Sequence, residues 1–289
     1  MLLSTGISTL LPFGEDEAFR LVAEAGFDAI DFSFFTPYHN DDFFAAHDPE
    51  VYAREMKEKM NAVGLVCNQA HAPFRHEGAG TEAGLFRVER TVRMAGIMGA
   101  KSIVVHPFDF CSDLQEKKER NLEMFRRLCA TARAYGTKIA MENFLGWDAE
   151  KSVGVPVGFS FAEEVCDYYD SLNEPDAFCV LLDVGHAALV GESPENAIRI
   201  LGRDRLQGLH IQDNHAHKDV HSVPYDHGCE LNWEAITAAL GEIDYQGDFT
   251  YEAGYFHKRF PIDGVHIPLK YMEQLGRYLM GKIDAHRPK

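Results

Sequence analysis

None of the six cysteines (Cys67, Cys111, Cys129, Cys166, Cys179, Cys229) stands at CxxC spacing from another. That argues against a thiolate zinc ribbon and a disulfide framework, and reads as reduced thiols in a cytoplasmic protein. Basic residues are scarce: 28 Lys and Arg face 45 Asp and Glu, a net charge of −17. Such a chain repels polyanions, so no nucleic-acid partner is expected. No apolar run approaches the length of a membrane span, and "MLLSTGISTLLPF" lacks the basic start of a secretory signal. There is no linker, low-complexity run or charge block, so residues 1–289 read as one domain. The Gly-rich "RHEGAGTEAG", Arg75–Gly84, lacks phosphate-loop spacing and reads as a mobile loop or lid.

What is present is a recurring unit: an amphipathic stretch ends in Gly, and a short apolar run follows. It appears at Gly26, Gly64, Gly99 and Gly136. Glycine just past a helix supplies the left-handed turn that stops it, and the β-branched run after it is a strand. Eight such runs occur: "LLSTGIS", "FDAIDFS", "LVCNQAH", "KSIVVHP", "KIAMENF", "CVLLDVG", "LQGLHIQ" and "DFTYEAG". Helical stretches separate them, which implies a parallel sheet. Eight units, in a chain slightly longer than the roughly 250 residues typical of the fold, predict an α/β protein of the (β/α)8 TIM-barrel type.

The third to eighth runs end in His71, His106, Glu142, Asp183, His210 and Glu252. In a barrel these ends converge on the face that carries active sites. Singly, each has a plain alternative: Asp183 could cap the next helix, and a lone His is more often structural. Together, Glu142, Asp183, His210 and Glu252 form an oxygen and nitrogen ligand set suited to Mn²⁺, Zn²⁺, Co²⁺ or Mg²⁺. Three carboxylates so close would raise one another's pKa, a conflict that a divalent cation resolves.

"NQAHAP", "VVHP", "MEN", "LLDVGHA", "GLHIQDN" and "YEAG" in this order resemble the strand-end motifs of the xylose isomerase-like TIM-barrel superfamily. The superfamily includes sugar isomerases and epimerases, inosose dehydratases and apurinic/apyrimidinic endonucleases. The resemblance implies a divalent metal on Glu142, Asp183, His210 and Glu252, a small carbohydrate substrate, and Glu142 and Glu252 as the catalytic acid–base pair. His186 would contact substrate or a second metal. The endonuclease branch implies a larger zinc set, to which His71, His106, Asp219 and His221 would add. Against that branch, "DVHSVPYDHG" fits the sugar-isomerase form of the loop better, and the net charge opposes DNA. Sugar 3-epimerases carry an arginine shortly after the strand-seven histidine, whereas "HIQDNHAHKDVH" has His215, His217 and Lys218 there. The expectation is a metal-dependent sugar or polyol isomerase or epimerase, acting through an enediolate on a free or phosphorylated substrate. The alternatives are an inosose dehydratase-type lyase, a multinuclear zinc phosphodiesterase and a non-catalytic sugar-binding barrel. Members of the superfamily are often homodimers or homotetramers, and the composition does not choose between these.

Aromatic residues follow several strands: Phe34, Phe35, Tyr38, Phe108, Phe110, Phe144, Trp147, Tyr225, Tyr255 and Phe256. Most would pack loops onto the rim; Trp147 is the expected pocket wall. In "YFHKRFP", Lys258 and Arg259 lie near the mouth, as an anion subsite or a solvated turn.

Overall fold

The computed structural model describes residues 1–34, 39–73, 81–109, 111–215 and 218–289. Phe35, Tyr38, Phe110, His217 and residues 75–80 of the expected lid lie outside them. Eight parallel strands form one sheet: β1 Leu3–Gly6, β2 Ala29–Ser33, β3 Val66–His71, β4 Ser102–Val104, β5 Lys138–Glu142, β6 Phe178–Asp183, β7 Leu206–His210 and β8 Phe249–Tyr251. Their order is β8-β1-β2-β3-β4-β5-β6-β7, so each strand pairs with its sequence neighbour and β8 returns to β1. The remaining edges meet through a bridge between Ile211 and Tyr251. There Ile211 N donates to Thr250 O at 2.8 Å and Glu252 N to Ile211 O at 3.1 Å. The result is a TIM barrel.

The expected periodicity accounts for the helices between the strands. In Leu114–Tyr135, Asp113 accepts from Glu116 N at 2.9 Å, satisfying one of the open donors of the first turn. Gly136 takes the left-handed conformation that stops this helix, as Gly26 and Gly99 do for theirs. Leu122, Phe125, Leu128, Cys129 and Ala132 form its buried face. They belong to the large apolar layer between helices and barrel, where each buried Leu or Phe contributes about 1.5–3 kcal/mol.

Inside the barrel a polar plug lies toward the N-terminal ends of the strands. Ser4 donates to Asn68 at 2.8 Å; Asn68 donates to Asp248 and Thr250, and Lys101 covers Asp248 at 2.7 Å. Val104, Ala140, Cys179 and Leu181 form a small apolar cluster of their own. The strand-end imidazoles and carboxylates gather at the other end. Two short hairpins were not anticipated: Gly146–Asp148 with Val153–Val155 after β5, and Asp213–His215 with Lys218–Ser222 after β7.

One histidine away from this bowl sets a pH-dependence of stability. His39 is buried against Phe32, Phe34, Phe43 and Phe44, with Nε2 2.8 Å from the Tyr52 hydroxyl, which itself donates to Glu15. Burial lowers its pKa to about 4, with Glu15 opposing. The unfolded chain therefore binds the extra proton between about pH 6.5 and 4, and the folded chain does not. Full stability holds above about pH 6.5, and on the order of 3 kcal/mol is lost as pH falls through about 4. His39→Phe should flatten this part of a urea-midpoint-against-pH curve; an unchanged slope would remove His39 as its source.

Candidate functional site

Glu142, Asp183 and His210 are the last residues of β5, β6 and β7, and Glu252 follows β8 directly. Strand geometry thus aims all four into the bowl. One ligand atom from each lies within 4.8 Å of the others. His210 Nδ1 donates to Glu142 Oε1 at 2.7 Å and stands 3.1 Å from Glu252 Oε2. His106 Nε2 donates to the other Glu142 oxygen at 2.6 Å. His71 Nε2 lies 3.1 Å from His106 Nε2. Beside this core, His186 Nε2 is 3.5 Å from Asp219, and Asp219 pairs with His221 Nε2 at 3.0 Å. His71, His106 and Glu142 form a second possible ligand group, and His186, Asp219 and His221 a third.

The electrostatics are those of a crowded acidic site held by imidazoles. Burial opposes ionisation of Glu142, but His210 and His106 hold its carboxyl well below the usual range. Glu252 likewise overcomes burial through His210 and His221 and sits at about 2. Asp183 goes the other way: burial drives it up to about 7, His186 opposing and Glu252 and Glu142 adding to the rise. Against the burial of the ring, Glu252 and Glu142 hold the His210 imidazolium well above its usual value. His221 is raised to about 9 by Glu252 and Asp219 against its burial. A divalent cation fits this donor set. It consists of oxygens and one imidazole nitrogen, and Glu252 Oε2 is buried with no hydrogen-bond partner.

Residues 19–274 match the model of the family described as xylose isomerase-like TIM barrel. The chain belongs to that family. It is 29% identical over 187 residues to a probable endonuclease 4 of Geotalea daltonii, covering 58% of this chain and 61% of that one. The matched curated relatives are spanned over only 61% and 63% of their lengths. Among solved structures, D-psicose 3-epimerase in the presence of D-fructose superimposes with a TM-score of 0.76 at 17% identity, over 97% of this chain and 100% of that one. The apo 3-keto-D-glucoside 4-epimerase of E. coli gives 0.73 at 19%, over 95% and 99%. At these identities the superpositions show a shared fold.

This xylose isomerase-like barrel supports these strand-end side chains with residues that strand-end reasoning missed. Gln212 Nε2 donates to Asp183 at 3.2 and 3.0 Å and to Asp219 at 3.0 Å, linking two of the ligand groups. Asn143 and Asp183 exchange hydrogen bonds at 2.7 and 3.0 Å, and the Asn143 carbonyl is 3.1 Å from His186 Nδ1. Asp31 lies beneath His210 Nε2 at 3.4 Å and accepts from Gln69 at 3.1 Å. Period-two spacing could have found these inward residues: Gln69 stands two before His71, and Gln212 two after His210. Asp183 also caps the helix Val184–Leu189, accepting from His186 N at 2.7 Å, so it both caps and faces the bowl. Gly185 follows because a Cβ there would stand 2.5 Å from Asn214 and 2.6 Å from Gln212.

At the rim, Phe144 lies against two of the site's imidazoles, 4.8 Å from His106 and 5.1 Å from His186. Trp147, the expected wall, is 50% exposed on its hairpin. Lys258 and Arg259 line a groove of about 380 Å³ with Tyr255, Val220 and Asp219, which places them beside the third ligand group. Among the described residues no helix is long and apolar enough to cross a membrane.

Proposed function

We propose that this chain is a divalent-metal-dependent sugar or polyol isomerase or epimerase. The observation carrying this reading is the pairing of Glu142 and Glu252 across one imidazole, at 2.7 and 3.1 Å from His210 Nδ1. A binding protein has no need of two ionised carboxylates converging on one point; moving a proton on and off a carbon does. Glu142, Asp183, His210 and Glu252 would hold the metal, which when bound supplies a Lewis acid for charge developing on a carbonyl oxygen.

Glu252 is the base, the less enclosed of the two carboxylates: its side chain is 23% exposed against 1% for Glu142, and it is ionised at neutral pH. It takes the proton from the carbon beside the carbonyl. Glu142, fixed by His106 and His210 and likewise ionised at rest, takes up a proton from water and delivers it to the opposite face or the neighbouring carbon, and Glu252 returns its own proton to water when the product leaves. Phe144 and the buried strand ends limit water around the transfer. The sugar-epimerase names of the superimposable barrels support the substrate class. The test is hydrogen exchange: the metal-loaded protein, incubated with a panel of ketoses and aldoses in D2O, should place deuterium beside the carbonyl. Exchange on no sugar or sugar phosphate would remove the reading.

The three ligand groups favour a second reading, a multinuclear zinc phosphodiesterase, which the similarity to a probable endonuclease also supports. About three zinc ions per chain with cleavage of phosphodiesters would select it; about one ion with sugar exchange selects the first.

Lys258 and Arg259 are proposed to bind an anionic group of the substrate. Lys258→Ala with Arg259→Ala should raise KM about tenfold for a phosphorylated sugar and leave a neutral one unaffected. Equal KM on the anionic substrate would make this a solvated turn.

A further inference from the structure

Outside the bowl, another set of ligand-type side chains converges on the connection after β7. His215 ends the first strand of the hairpin there, and Asp226 and Cys229 follow in "YDHGC". One ligand atom of each lies within 4.8 Å of the other two. The chemistry differs from that of the bowl, whose ligands are all oxygen and nitrogen: here a sulfur joins an imidazole and a carboxylate. Asp226 and Cys229 are three apart across a tight turn, with Cys229 N donating to Asp226 O at 3.0 Å and Gly228 at φ +81°. Two-residue separation is the spacing by which turn-borne ligands share a zinc ion. The His215 ring lies over this turn, 3.7–3.8 Å from where a Gly228 Cβ would stand.

One further observation points to a missing partner. His215 Nε2 is buried with no hydrogen-bond partner. The Asp226 carboxylate is already oriented, accepting from Ser222 Oγ and, at 2.8 Å, from His227 N. We propose that His215, Asp226 and Cys229 form a second, structural metal site that takes zinc. Thiolate with imidazole selects zinc over magnesium or manganese, and three protein ligands leave one tetrahedral position to water. On binding, the Cys229 sulfur–hydrogen bond breaks, the proton passes to solvent and the sulfur lone pair forms the bond to zinc. The site would clamp the hairpin whose second strand carries Asp219 and His221, fixing both relative to His186.

The site can be tested without knowing the substrate. The full-length protein is stripped with chelator and reloaded with Co²⁺ for absorption spectra, and with Zn²⁺ for metal counts. Because the bowl has no sulfur ligand, a thiolate-to-cobalt charge-transfer band reports this site. The wild type should show the band. Cys229→Ser should lose it together with about one zinc per chain, and His215→Ala should lose the same zinc. Asp183→Asn, in the bowl, should keep the band. Absence of the band from the wild-type protein, a measurement needing no variant, would overturn the proposal. So would its survival in Cys229→Ser, or an unchanged zinc count in that variant.

Discussion

Glu252→Gln is expected to slow turnover and carbon-bound hydrogen exchange by about 10²–10⁴-fold, the usual scale for removing a positioned acid or base. Glutamine keeps the shape and one carbonyl acceptor but cannot carry the proton. Glu252 stands 3.1 Å from His210 and helps hold the His210 and His221 imidazoliums, but His210 keeps Glu142 as a closer counter-charge at 2.7 Å, so the metal-free variant loses only part of its charge pairing. The variant's thermal midpoint should therefore fall, though by less than that of Glu142→Gln. Glu142→Gln should lose turnover equally but differ in stability. Both oxygens of Glu142 accept from buried imidazoles, so the metal-free variant leaves the His210 imidazolium short of its nearest counter-charge. A cost of about 3–5 kcal/mol is expected from breaking such a pair. Kinetics and thermal unfolding of both variants separate the two roles. Full turnover in Glu252→Gln would end the acid–base assignment.

Removal of the metal should be the second large effect. Treatment with a strong chelator is expected to abolish exchange, and Mn²⁺, Co²⁺, Zn²⁺ or Mg²⁺ should restore it in an order set by ligand preference and geometry. Reloading should also stabilise the protein, by about 2.7 kcal/mol at a hundredfold excess over Kd. The physical reason is the crowding at the strand ends, where Asp183 is pushed up to about 7 by burial and by its neighbouring carboxylates. Undiminished activity in protein verified to be metal-free would exclude the metal from the reaction.

The barrel and its bowl were legible because one signal repeats. Glycine-stopped helices and apolar runs marked the eight strands, and a charged or imidazole residue ended six of them in turn. Strand ends were less legible: β4 stops at Val104, two residues before His106, and Glu252 follows β8 rather than ending within it. The hairpins after β5 and β7 gave no apolar signal, since "GWD" and "KDVHS" are partly exposed and pair locally. Gln212, Asn143 and Asp31 were missed for another reason. A polar residue inside an apolar strand looks like an interruption until the facing carboxylate or imidazole is known. Both Phe144 and Trp147 follow Glu142, and only tertiary packing shows that Phe144 lies against His106 while Trp147 is half exposed on its hairpin.

The order in which the strands pair has a consequence for the nascent chain. Each strand joins the one made just before it, and β8 must come back to β1 to close the ring. Synthesis therefore lays down His71, His106, Glu142, Asp183 and His210 on a growing open sheet, while Glu252 arrives only with the last staple. Until then the edges of β1 and β7 are exposed, and the acidic bowl lacks one wall. An ion captured before β8 pairs would meet an incomplete set of the proposed ligands, which is complete only once the residues through Glu252 have left the ribosome.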